Sequence, residues 1–171
     1  MLTLARSAGD SHITDLVGPR SAVVRELIAA YWHEIETVSN HAASSTNREG
    51  IHGGAISRSV RHAVASDLRH AQRVATRIRR LHATVPSPDE FAARQPPLRP
   101  PAEPLDNFSV LGRLIEAETA AIERYRRIAA AALQAHDWVT QHLVAEIMRE
   151  KEIQRQSLGS LLEAEQRPER R

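Results

Sequence analysis

Asp67 and His70 lie three residues apart within "SDLRHAQRVATRIRRL", Ser66 to Leu81, a stretch with helical rhythm. At that spacing a carboxylate and an imidazole leave a helix on the same side. Such a pair is half of a metal site when a second pair faces it, and a solvated surface pair when none does. A second set is present at a fixed offset. Glu34 precedes Asp67 by 33 residues and His70 by 36; Glu118 precedes Lys151 by 33 and Gln154 by 36. One shift of 84 residues relates the two sets. The same shift relates Leu27 to Leu111, Val38 to Ile122, His41 to Tyr125, Val74 to Leu158 and Ile78 to Leu162. Shared apolar period alone does not require two glutamates to align, so the pattern predicts an internal two-fold repeat with a polar register at its middle.

Four helices are expected to carry these residues. Gly18-Pro19-Arg20-Ser21 reads as a turn and helix start, followed to about Ser44 by a stripe of Val24, Leu27, Ile28, Tyr31, Ile35 and Val38. "SSTNREGIHGG" breaks that helix. A second runs from about Ala55 to His82, with Val60, Ala63, Val64, Leu68, Val74, Ile78 and Leu81 on its stripe. Asp106 or Asn107 caps a third, whose inner side holds Val110, Leu114, Ala121, Ile122, Tyr125 and Ile128. Asp137 starts the fourth, with Val144, Ile147, Met148, Lys151, Gln154, Leu158 and Leu161. Residues 1–18 read as a flexible N-terminal segment, 19–165 as the bundle and 166–171 as a frayed tail.

Composition narrows the class. The chain has 171 residues, 42% hydrophobic but only 4% aromatic, so its core is aliphatic and suits helix packing. It has no cysteine, which excludes disulfides and thiolate metal sites. No apolar run approaches the ~20 residues of a membrane span, and "MLTLARSAGDSH" lacks a secretory apolar segment; a soluble, cytoplasmic protein with no membrane partner is expected. Of 23 basic residues only Lys151 is a lysine. The net charge of +2 does not call for nucleic acid as a partner.

The stretch "TVPSPDEFAARQPPLRPPAEPLD", about 84–106, holds seven of the nine prolines and cannot be a helix. A helix of about 28 residues is ~42 Å long, and some twenty linking residues at up to ~3.3 Å each can return the chain along it. Two helical hairpins joined by one long crossover form the ferritin-like topology, in which di-iron carboxylate proteins draw one Glu from each of two helices and a Glu-x-x-His pair from each of the others. The sequence resembles that superfamily, close to bacterioferritin-type domains. "YWHEIETV" (Tyr31–Val38), "LRHAQRVATRI", "IEAETAAIERY" and "DWVTQHLVAEIM" are similar, in order, to its four helices, and the likeness spans roughly Ser21 to Glu163. It implies iron binding, oxidation of ferrous iron by oxygen or peroxide, and assembly into homodimers or larger shells.

Carried over residue by residue, the resemblance makes Glu34, Asp67, His70 and Glu118 the metal ligands, with Asp67 one methylene shorter than the usual glutamate. The mate of the Asp67–His70 pair is rewritten: Lys151 stands for the glutamate and Gln154 for the histidine. Iron favours anionic oxygen and imidazole; a lysine opposes a second divalent ion, and Gln154 offers only an amide oxygen. The ammonium of Lys151 reads as a covalent replacement for one metal charge, facing Glu34 and Glu118. Glu150 and Glu152 flank it and are the candidates to rescue a ligand by a shift of register. Leu68 follows Asp67 where bacterioferritins carry a haem-binding methionine, so no haem is expected. The leading expectation is an iron-handling protein with a partly degenerate di-iron site, one ion rather than two, and ferroxidase-type chemistry if active. The first alternative is a structural or interaction bundle in which Glu34 and Glu118 pair with Lys151 and bind no metal. The second is a DNA-protecting mini-ferritin, suggested by Arg58, Arg69, Arg73, Arg77 and Arg80, whose competing reading is a solvated face. His33, His41, His62 and His142 are read as packing or solvated residues, and Tyr31 and Trp32 as core.

Overall fold

A computed structural model describes residues 18–44, 53–87, 89–90 and 106–166. The expected N-terminal segment, the first hairpin link, the middle of the proline-rich crossover and the last five residues lie outside them. The described residues form an antiparallel bundle of four helices: α1 Pro19–Ser44, α2 Gly53–Arg80, α3 Asn107–Gln134 and α4 Trp138–Gln166. There is no strand among them, and no helix is long and apolar enough to cross a membrane.

Local chemistry sets the helix ends. Gly18 has φ 129, a conformation that L side chains rarely adopt. Its carbonyl accepts from Ser21 N (3.1 Å), Ala22 N (3.3 Å) and Ser21 Oγ (2.6 Å), while Pro19 takes the first helical position. Asp106 caps α3 by accepting from Ser109 N at 2.6 Å, and Asp137 caps α4 by accepting from Thr140 N at 3.0 Å. Each cap contributes about 1 kcal/mol. The C-terminal ends of α2 and α3 close alike. His82 and His136 take positive φ, 60 and 53. The next residue then reaches back five positions, Ala83 N to Ile78 O at 3.2 Å and Asp137 N to Ala132 O at 2.8 Å. That is the left-handed cap usually reserved for glycine.

The apolar faces bury into two clusters. One holds Val23, Leu27, Ala30, Val74, Ile78, Tyr125, Ile128, Ala132, Val144 and Ile147; the other holds Ile56, Val60, Val110, Leu111, Leu114 and Leu158. Each fully buried Leu, Ile or Val contributes about 1.5–3 kcal/mol. The expected α3 stripe is buried throughout. On α1 the buried row is Val23, Val24, Leu27 and Ala30, while Ile28, Tyr31, Ile35 and Val38 are only half-buried. On α2 Leu68 points outward, 44% exposed, because Asp67 and Ala71 take the inward positions on either side of it.

A left-handed backbone costs a residue with a Cβ more than it costs glycine. His136→Gly is therefore expected to raise stability by about 0.5–1 kcal/mol, read as a higher urea midpoint at unchanged slope; a lower midpoint would show that the His136 side chain supports the turn.

Candidate metal centre

The two apolar clusters are separated by a polar layer to which every helix contributes. Glu34 comes from α1, Asp67 and His70 from α2, Glu118 from α3, and Lys151 and Gln154 from α4. All six are buried, Gln154 least so at 8% exposure. Glu34, Asp67, His70, Glu118 and Lys151 form a connected set with contacts of 3.9 Å or less, and Gln154 is buried three residues beyond Lys151 on α4. Lys151 is at the focus. Its Nζ lies 2.9 Å from Asp67 Oδ1, 3.2 Å from Glu34 Oε2 and 3.4 Å from Glu118 Oε2. An ammonium has three protons, and it faces three carboxylates. The Tyr125 hydroxyl donates to the other Glu34 oxygen at 2.9 Å, and His41 Nδ1 approaches Asp67 Oδ2 at 3.3 Å. These two contacts were missed by the sequence reading, which treated His41 as packing or solvated and Tyr125 as core. The repeat does pair His41 with Tyr125, and both end on a carboxylate of the centre.

His70 is held between two acids. Its Nδ1 lies 3.9 Å from Glu34 Oε2, and its Nε2 lies 3.0 Å from Glu150 Oε2. With Nε2 protonated, His70 donates to Glu150 and turns the Nδ1 lone pair inward. Glu150 in turn accepts from Arg73 at 2.9 Å. Of the two candidate rescue ligands, Glu150 thus meets the outer nitrogen of His70. Glu152 lies in an ion pair with Arg155 at 2.8 Å, half-buried and away from the carboxylates around Lys151.

Burial and charge decide the protonation. Burial pushes Glu34 up to about 8 against the opposing pull of Lys151, with Asp67 adding to the rise. Burial also raises Glu118, again against Lys151. Asp67 behaves oppositely: burial alone would raise it, but His41 and Lys151 outweigh burial and hold it below the usual carboxylate range. For Lys151, burial would favour the neutral amine, yet Glu34, Asp67 and Glu118 together hold it above its ordinary value. Burial, with the Lys151 charge, keeps His70 below the usual imidazole value against the pull of Glu150. The layer is therefore built around one cation, one ionised carboxylate in Asp67, a Glu34 that favours its proton at neutral pH, and a Glu118 raised by burial.

Glu34, Asp67 and His70 each offer one ligand atom within 4.8 Å of the others. His70 Nδ1 and Glu118 Oε1 are buried without a hydrogen-bond partner among the described residues. The donor types suit a first-row divalent ion. The obstacle is Lys151, which already holds one oxygen of each of Glu34, Asp67 and Glu118.

A buried polar layer drawn from all four helices, with acids and an imidazole from three and a lysine from the fourth, agrees with the sequence comparison: the ferritin-like domain family matches residues 25–167. The chain belongs to the ferritin-like family. Solved structures agree on the fold. The ferritin-like chain is similar to an antigen of Treponema pallidum, with a TM-score of 0.77, 18% identity and coverage of 84% of this chain and 93% of that one. It is similar to the Dps protein of Vibrio cholerae, a member of the ferritin-like di-iron-carboxylate superfamily (TM-score 0.74, 17% identity, 90% and 99% coverage). It is similar also to the dodecameric thioferritin of Bacteroides fragilis, a bacterioferritin-related protein (TM-score 0.72, 23% identity, 89% and 90% coverage). No curated protein matches the sequence.

A pH test isolates Glu34. Its folded value lies above its unfolded one, so the stability it contributes by binding a proton is complete below about 4.5 and is lost as pH rises towards about 8. Glu34→Gln removes that loss. The stability of the variant relative to wild type, from urea melts, is expected to increase steadily from pH 5 to pH 8; a pH-independent difference would mean that Glu34 is ionised throughout.

Proposed function

We propose that this ferritin-like protein closes its centre with an internal cation, so that Lys151 stands where a metal charge is needed and the chain is not a fast di-iron ferroxidase. The observation that carries the reading is the 2.9–3.4 Å approach of one ammonium to three buried carboxylates. Those oxygens are the ones a second ion would need. A divalent ion about 4 Å from an ammonium is repelled by about 8 kcal/mol at an effective dielectric of about 20. Relief requires Lys151 to lose a proton that Glu34, Asp67 and Glu118 hold on it, or to leave a pocket in which it is nearly the largest fully buried side chain. Gln154 offers no anionic replacement. What the fold retains is a bundle suited to self-association: α1 keeps Ile28, Tyr31, Ile35 and Val38 half-buried in the single chain, and the thioferritin of Bacteroides fragilis is a dodecamer. The protein is expected to sediment as a dimer or larger, and a monomer would remove the assembly role.

A second reading has its own support. Glu34, Asp67 and His70 converge on the side of the layer where His70 Nδ1 is unpartnered. One ferrous ion bound there, as cargo or as substrate, makes the protein a slow, one-ion iron handler. Glu34 and Asp67 would supply charge, His70 the neutral donor, and Glu150 would hold the ring in its ligating tautomer.

Anaerobic calorimetry with ferrous iron and stopped-flow oxidation separate these readings. Wild type is expected to show no tight site and slow oxidation. Lys151→Glu with Gln154→His is expected to bind two ions per chain, to oxidise iron at least tenfold faster, and to melt lower than wild type until iron is added. One tight ion in wild type that is lost in His70→Gln would establish the second reading. Two tight ions or rapid oxidation in wild type would overturn the first.

A further inference from the structure

Of the arginine row on α2 only Arg73 reaches the centre, through Glu150 and His70, and the structure divides the rest. Arg73 pairs with Glu146 and with Glu150, and Arg77 pairs with Asp137 at 2.6 Å and donates to Thr140 Oγ1 at 2.7 Å. These long side chains bridge α2 to α4 across a cavity of about 540 Å³. Arg69, Arg73, Arg77 and Arg80 all line it, with His142 and Glu146 opposite. Its volume lies in the ~300–1,000 Å³ range of small-ligand sites.

The carboxylate that lines the cavity is already engaged: Glu146 meets Arg73 and also His142 Nε2, at 3.3 Å. Asp137, beside it, is held by Arg77. Two cations are left over. Arg69 gives one N–H to the Ala65 carbonyl at 3.2 Å and has no carboxylate partner among the described residues. Arg80 is exposed and has no ion pair among them either. They are eleven positions apart, ~16 Å along the helix, yet they border the same cavity. Guanidinium groups present paired donors that match phosphate oxygens. One compact anion cannot reach both ends. An anion with negative charge spread along its length can.

We propose that the α2–α4 cavity is a binding site for a short phosphate chain, with Arg69 and Arg80 holding its ends and the Arg73 and Arg77 ion pairs, two arginines against three carboxylates, forming its floor. The shared chemistry is the linear oligophosphate, whether inorganic or carried by a nucleotide. The site is independent of Lys151, so the result of iron titration does not bear on it.

The test is isothermal titration of the full chain with sodium tripolyphosphate, ATP and orthophosphate at fixed ionic strength. Tripolyphosphate is expected to bind at least tenfold more tightly than orthophosphate. Equal affinity for ATP would show that the phosphate chain is what is read in both sources; a clear preference for either would assign the source. Arg69→Gln and Arg80→Gln are each expected to weaken tripolyphosphate at least fivefold, with unchanged thermal melts showing intact folds. Arg113→Gln, an exposed arginine on α3, is expected to leave binding as it was. Equal binding of orthophosphate and tripolyphosphate, equal effects of all three substitutions, or binding of duplex DNA but not tripolyphosphate would overturn the proposal.

Discussion

A single ammonium, buried where four helices meet, constrains the rest of this molecule. Lys151 is 1% exposed and is ringed by Asp67, Glu34 and Glu118 from the other three helices. Taking a charge out of water costs several kcal/mol, and it is recovered only when partners are placed with good geometry. Slipping any helix by one residue would turn its carboxylate away by roughly 100° and leave that cost uncompensated. The layer therefore sets the helix register more sharply than the aliphatic clusters on either side, which tolerate exchange of similar side chains. Replacement of Lys151 alone would be severe, because three acids would lose their shared partner.

The internal repeat explains why the substitution fell where it did. Asp67 and Lys151 are 84 residues apart, the repeat offset itself, and they touch at 2.9 Å. Repeat-related positions thus face each other across the middle of the bundle. Two acids there repel unless cations lie between them. An acid and a lysine attract with nothing between them. On the proposed reading, one residue type at one end of the pair lets the layer supply its own charge. The supporting pair follows the same geometry: Tyr125 and His41, related by the offset, each brace one carboxylate.

Much of this was legible in the sequence, for definable reasons. Apolar spacing located the helices, the prolines forbade a helix in the crossover, and the matched offsets selected the six residues of the central layer from 171. Other features were hidden. A stripe identifies a face but not its angle to three neighbours, so Leu68 was assigned inward and lies at the surface, and the outer row of α1 was read as core. His82 and His136 give no sequence signal of a left-handed cap, since glycine is the usual marker. The role of Glu150 depended on rotamer and not on spacing: one residue before Lys151 on α4, it turns toward α2 and meets His70 from outside the layer. The arginine row showed its charge but not its partners, because those partners lie on α4 or its cap, 60 or more residues away.

Charge accounting gives the layer its character. His70, neutral because burial and Lys151 both oppose its protonation, adds no charge. Glu150, below the usual range because His70 and Arg73 outweigh the effect of burial, stays ionised but spends its charge on Arg73 outside the layer. Inside, Lys151 balances Asp67, Glu34 with its value near 8 favours a proton at neutral pH, and burial raises Glu118. An external cation entering the layer would have to displace the proton on Glu34 and contend with a fixed positive charge, so its affinity would fall as pH falls. On the proposed reading, the contacts that hold Lys151 in place without an ion are the ones that oppose the entry of one.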